Sequence, residues 1–465
     1  MLSFIDSSNR SSRRSFLQVG SLGLAGLTLD QLFRSQVAAD SVQASTMKDK
    51  SVVFLFMHGG PSQIETFDPK MTAPSGIRSA TGEVATKIPG VTFGGTFPKL
   101  ASLADKLSIV RSFKTGTSAH DIKPLVGKDS ANANIGSLYS KITGASNPAT
   151  GVPNNVALFP QSIDKERQPG NFQFGNFAAT GNLGSSFAPF MPGAGGSLQE
   201  DMKLKLGPTQ LDDRRTLLQQ LDRLNRNLDN SGSMQGVDKF RDQAFRTILG
   251  GVADAFDLSK EDAGTIARYD TAPLVTPDQI SKKWNNYNNY VDNAKTLGKL
   301  MLMARRLCEA GCGFVTVTTN FVWDMHSDKN NAGVEEGMGY MGRPFDHAVS
   351  TFIEDLEARG LSDKILLVCC GEMGRTPKID NKGGRGHWGN LSPLMLSGGG
   401  LNMGQVIGQS TRDAGEPASE PITNRHLIST IMHTLLDVGR VRLVQGLPLD
   451  AQRAITDGEP IPGLM

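Results

Sequence analysis

Residues 297–319, LGKLMLMARRLCEAGCGFVTVTT, and residues 345–370, FDHAVSTFIEDLEARGLSDKILLVCC, each run from an amphipathic helix into a short apolar strand. In the first, Leu297, Leu300, Met301, Ala304, Leu307 and Cys308 keep a helical period up to Gly311, a natural C-terminal stop. In the second, Val349, Phe352, Ile353 and Leu356 do the same between Pro344 and Gly360, with Asp346 in the first turn, where an acid suits the helix dipole. Helix, strand, helix and strand in that order predict a parallel sheet covered by helices, a three-layer α/β/α sandwich.

Working outward, residues 52–57 and 107–110 read as two further buried strands, beside 314–319 and 365–370. Residues 40–465 read as one domain. Within it, about 150–290 is expected to be a loop-rich cap or insertion, since 150–210 is dense in Gly, Asn, Phe and Pro. Leu217, Leu221, Leu224 and Leu228 mark a charged helix there.

The first 39 residues differ from the rest. SRRSFL at residues 12–17, a mild apolar stretch over 19–29 and the small-residue site Val37-Ala38-Ala39 resemble a twin-arginine export signal. This implies passage through the twin-arginine translocase and a periplasmic or secreted mature protein. That route carries folded proteins, often with a cofactor or metal already inserted.

Of the 48 basic and 46 acidic residues, the leader holds Arg10, Arg13, Arg14, Arg34, Asp6 and Asp30, which leaves 44 of each in the body. A neutral body argues against an electrostatic nucleic-acid binder. Beyond the leader no apolar run approaches the roughly eighteen residues of a membrane span. The four cysteines form no disulfide framework, because Cys308 and Cys312 share one helical turn while Cys369 and Cys370 point to opposite faces of a strand.

Ligands of open α/β sheets gather beyond the carboxyl ends of the strands. His58 follows the first strand, Asp324 and His326 follow the third, Glu372 follows the fourth, and His387 comes fifteen residues after Glu372. Imidazole with carboxylate suits zinc, manganese or iron better than calcium. The alternative reading pairs Glu372 with Arg375 as a loop brace and leaves His326 and His387 bonded to backbone. After the second strand, Thr115, Thr117 and Ser118 surround Gly116, with Arg111, Lys114 and His120 nearby. These hydroxyls suit a nucleophile or an oxyanion site, and equally an ordinary turn.

VFLFMHGGPSQIETFDPK (53–70), MARRLCEAGCGFVTV (303–317), WDMHSD (323–328), GEMGRTP (371–377) and GRGHW (384–388) closely resemble the domain-of-unknown-function-1501 family, exported bacterial proteins of the alkaline-phosphatase-like, or sulfatase-like, superfamily. The resemblance implies a mixed sheet between helices and one or two divalent ions, zinc or manganese, binding a phosphate or sulfate ester beside a hydroxyl or modified-cysteine nucleophile. It places His58, Asp324, His326, Glu372 and His387 as metal ligands. Met373 stands where such enzymes carry a His, and Gly386 where they carry an Asp. The chain lacks a Cys/Ser-x-Pro-x-Arg sequence, which disfavours a formylglycine mechanism. The expectation is an exported metal-dependent ester hydrolase, its substrate a small molecule or glycan ester and Arg375 a clamp for the oxyanion. The rival is a non-catalytic envelope or carbohydrate-binding protein that keeps the fold.

Overall fold

A computed structural model describes residues 46–193 and 252–465. The proposed leader and the leucine-spaced segment 217–228 lie outside them. Seven strands form the central sheet: β1 (Ser51–Phe56), β2 (Ser108–Val110), β3 (Asn155–Leu158), β4 (Phe314–Val317), β5 (Ile365–Cys370), β6 (Leu394–Gly398) and β7 (Gln405–Ile407). Their order is β7-β2-β6-β5-β1-β4-β3. Strands β3, β4, β1 and β5 are mutually parallel. Strand β6 runs against both β5 and β2.

The predicted α/β/α sandwich is present, and the alternation of side chains along β1 shows why. Val53, Leu55 and Met57 enter one core, with the helices α2 (Tyr287–Glu309) and α3 (Val334–Ala358) over them. Val52, Phe54 and Phe56 enter the other, under α1 (Ile135–Thr143), α4 (Asn424–Leu435) and α5 (Leu449–Thr456). A strand apolar on both faces is stable only with a layer on each side. Cys369 and Cys370 divide between the two cores, and all four cysteines are free and buried. No helix among the described residues is long and apolar enough to cross a membrane.

Both predicted helix stops are Schellman turns. Gly311 takes φ +97° as Cys312 N–H bonds Leu307 O at 2.9 Å and Gly311 N–H bonds Cys308 O at 3.0 Å. Gly360 does the same after α3, with Leu361 N–H on Leu356 O at 2.7 Å. The start of α3 differs from the sequence reading. The helix begins at Val334 and carries Pro344 inside it. Glu335 and Glu336 supply its first-turn acids, while Asp346 caps another helix, accepting the Lys99 and Leu100 amides at 3.0 and 2.8 Å. Residues 155–158, inside the segment expected to be a cap or insertion, form the edge strand β3 of the central sheet.

Helix α2 lies against the backbone at Tyr269, where a Cβ on Gly298 would come 1.6 Å from the Tyr269 carbonyl oxygen. Alanine at this helical position should gain up to about 1 kcal/mol in propensity. The overlap reverses the sign, so Gly298→Ala should destabilise the protein by about 1–3 kcal/mol in denaturant unfolding. A variant as stable as wild type would refute this packing.

Candidate metal centre

Three loops leave the carboxyl edge of the sheet beside one another, because β1 is hydrogen-bonded to β4 on one side and β5 on the other. The turn after β1 is stitched to both neighbours. His58 O accepts the Val322 and Trp323 amides at 3.2 and 3.1 Å. Glu372, after β5, accepts the Gly59 amide at 2.9 and 3.2 Å. Arg375 donates from Nε to Gly60 O at 2.6 Å and from an amino group to Gly59 O. Gly59 has φ +115°, and a Cβ there would lie 2.7 Å from the Asp324 amide nitrogen. A glycine is therefore what lets the post-β4 loop pass.

His387 arrives on a two-stranded ribbon in which His387 pairs with Arg375 and Trp388 with Gly374. Arg385 N–H bonds Met325 O at 3.1 Å, and Gly384 packs against the His326 backbone so closely that a Cβ would come 2.1 Å from its carbonyl oxygen. These contacts set His387 beside His326 across 60 residues of chain.

The result is a convergence on one oxygen. Asp324 Oδ1 lies 2.9 Å from His326 Nε2, 3.3 Å from His387 Nε2, 3.5 Å from His120 Nε2 and 2.6 Å from an Arg375 amino nitrogen. Its other oxygen accepts Asn331 Nδ2–H at 2.9 Å. Ligand atoms of His120, Asp324, His326 and His387 all lie within 4.8 Å of one another. A carboxylate oxygen has two lone pairs, so four nitrogens around it exceed its accepting capacity. Three imidazoles and a carboxylate at this spacing form a set able to hold a divalent ion of the zinc or manganese type.

The electrostatics agree with a site built for positive charge. Burial opposes ionisation of Asp324, but hydrogen bonds from His120, His326 and His387 and the Arg375 charge overcome it and hold the carboxyl far below its usual range. His120 is drawn the other way. Burial disfavours its cation, yet Asp324 and Glu372 outweigh burial and raise its pKa. His387 is lowered by burial first, then by Arg375 and His120.

Asp324, His326 and His387 thus come together as the sequence suggested, and neither histidine is bonded to backbone through its ring. Two other expected ligands stand apart from the four-donor set. Glu372 is fully buried, with its carboxylate turned to the Gly59 amide and to His120 Nδ1 at 3.2 Å. His58 is 1% exposed among Phe56, Phe174, Phe177 and Phe321, and neither of its ring nitrogens has a hydrogen-bond partner. Burial, followed by the nearby His120, pushes its pKa down to about 3, so the ring is neutral.

Arg375, expected as an oxyanion clamp, is 1% exposed and engaged by Gly59, Gly60, Trp323 and Arg385 carbonyls as well as by Asp324. With its donors so engaged, it braces Asp324 and the glycine turn. The hydroxyl candidates divide. Thr115 is buried, its hydroxyl without a partner. Thr117 accepts the Ala119 amide at 3.3 Å, and Ser118 accepts the Gly389 amide at 2.9 Å, next to His387.

His120 is the donor the sequence reading passed over. Its only signal was position, in a Ser/Thr-rich loop after the second strand. A cavity of about 320 Å³ opens beside Lys48, Ser51, Tyr139 and Gly313, away from all these donors.

The chain belongs to the DUF1501 family, described as "Protein of unknown function (DUF1501)", which matches residues 49–464. Among curated proteins none matches. Solved structures with a likeness to it include the lipoteichoic acid synthase LtaP from Listeria monocytogenes, at 9% identity and TM-score 0.32 over 92% of this chain and 81% of that one. The PsFucS1 sulfatase from Pseudoalteromonas sp. has 11% identity and TM-score 0.34 over 94% and 78%. The phosphonate monoester hydrolase SpPMH from Silicibacter pomeroyi has 12% identity and TM-score 0.34 over 89% and 78%. At these values the likenesses are distant.

Proposed function

We propose that this protein is an exported metal-dependent hydrolase of phosphate or sulfate esters. The reading rests on one observation, the convergence of His120, His326 and His387 on Asp324 at the carboxyl edge of the sheet. In it, these four residues hold a divalent cation, zinc or manganese. Bound there, the cation supplies Lewis-acid stabilisation of the charge that develops on a transferred phosphoryl or sulfuryl group.

The chain's own groups do the rest. Arg375 keeps Asp324 ionised and aimed. Phe174 and Phe321, stacked with centroids 4.4 Å apart, back the His120 ring and shield that side from water. Thr117 and Ser118, on the loop that carries His120, are the hydroxyls available as a nucleophile. The leader would deliver the folded, loaded protein to the periplasm or beyond.

Metal analysis of the purified mature protein should find about one divalent ion per chain. A chelator should abolish turnover of generic aryl phosphate or sulfate esters, and zinc or manganese should restore it. Protein that binds neither ion and turns over no ester defeats the proposal. The rival, a non-catalytic envelope or carbohydrate-binding protein, is favoured by one feature. The Arg375 guanidinium already opposes the Asp324 charge at 2.6 Å, as a cation would. Glycan binding without metal uptake would support it.

A further inference from the structure

Glu372 stands behind the donor cluster and not in it, and its contacts describe a different job. Its Oε1 takes the Gly59 amide N–H at 2.9 Å, which marks that oxygen as an acceptor. The same oxygen lies 3.2 Å from His120 Nδ1. An acceptor opposite one ring nitrogen requires the proton on that nitrogen. In the neutral ring the other nitrogen, Nε2, which lies 3.5 Å from Asp324 Oδ1, then keeps its lone pair. A lone pair pointed at a carboxylate oxygen gains nothing unless a cation lies between them.

We infer that Glu372 is a positioning residue, which fixes the tautomer and ring orientation of His120 so that Nε2 is presented as a ligand. The inference rests on the metal-centre reading above and changes the part Glu372 plays in it from ligand to support. Phe321 and Phe174, with ring centroids 4.5 and 5.1 Å from that of His120, limit the ring's rotation without supplying a polar partner. Orientation about its axis therefore falls to Glu372. A carboxylate behind a ligating imidazole also makes the ring a stronger donor.

Two roles for Glu372 are separated by a double-mutant cycle in zinc affinity, measured on the full chain by competition with a chromogenic chelator. Glu372→Gln keeps an oxygen for the Gly59 amide and removes the charge behind His120. It should weaken zinc binding by roughly 10–100-fold. His120→Ala should weaken it as well, and Glu372→Gln added to His120→Ala should bring no further loss, because its effect passes through the ring. If Glu372→Gln does not fold, Glu372→Asp, which draws the carboxylate back by one methylene, is read in the same cycle. Zinc affinity within twofold of wild type, or a loss undiminished in the His120→Ala background, overturns the inference. Wild-type protein that takes up no zinc overturns the metal-centre reading itself, and the inference with it.

Discussion

Asp324→Asn should lower ester turnover by roughly a thousandfold or more and release the bound metal. A supporting partner behind a metal ligand is itself worth about 10–100-fold, and a ligand more. Asp324 is the one group in contact with all three imidazoles, and its loss removes the only carboxylate of the donor set. Asparagine preserves the shape and can still accept from Arg375, but it leaves a buried guanidinium with no counter-charge. A fall in stability is therefore expected alongside the loss of metal. The two effects separate experimentally, since metal content is measured per folded chain after gel filtration. Folded Asp324→Asn protein that keeps its metal, or turns over within tenfold of wild type, would end the assignment.

The sheet was legible because β1, β4 and β5 are short, apolar on both faces and followed by polar or glycine-rich turns. Strand β6 was missed for a physical reason. It sits antiparallel beside β5, so it needs no crossover helix to announce it, and Pro393 directly precedes it. Pro344 misled in the other direction. A proline favours a first turn, yet α3 runs through it, because the aligned faces of Met338, Met341, Phe345 and Val349 hold one buried stripe across the break.

At the site, strand ends located His58, Asp324, His326 and Glu372 but not which way they turn. His58 turns into a ring of phenylalanines, and Glu372 goes to the Gly59 amide and the back of His120 without joining the donor set. No local pattern encodes that choice. His120 was seen beside the hydroxyl loop but not as a donor, for a related reason. Its loop reaches the cluster through tertiary contacts, among them Gly116 N–H to Gly389 O at 3.0 Å and Asn424 Nδ2–H to Thr115 O at 3.2 Å. Convergence of distant segments is a property of the folded chain, and the strand-end rule reached it only for loops that directly follow β1, β4 and β5.

Those segments are held by a second, deeper ion pair, and breaking it should be the most destabilising single change outside the donor set. Arg385 and Glu65 are both fully buried, and Arg385 meets Glu65 Oε1 at 2.8 Å from an amino group and at 3.2 Å from Nε. The remaining Arg385 donors reach the carbonyls of Ile77, Arg78, Thr376 and Pro377. Glu65 also accepts Ser79 Oγ–H at 2.8 Å and the Ala80 amide at 3.0 Å. Removing the carboxylate leaves a buried cation without a counter-charge, a loss of about 3–5 kcal/mol, whereas surface pairs contribute at most about 1 kcal/mol. Glu65→Gln should therefore lower the unfolding free energy obtained from denaturant titration by that amount. Arg385→Met should do the same, and the double variant should lose less than the two single losses combined, because neither charge is then stranded. Since Arg385 is two residues from His387, Glu65→Gln should also weaken zinc binding at a temperature where the chain stays folded. A Glu65→Gln protein within about 1 kcal/mol of wild type, with unchanged zinc affinity, would show that the ribbon carrying His387 is held by its backbone bonds alone.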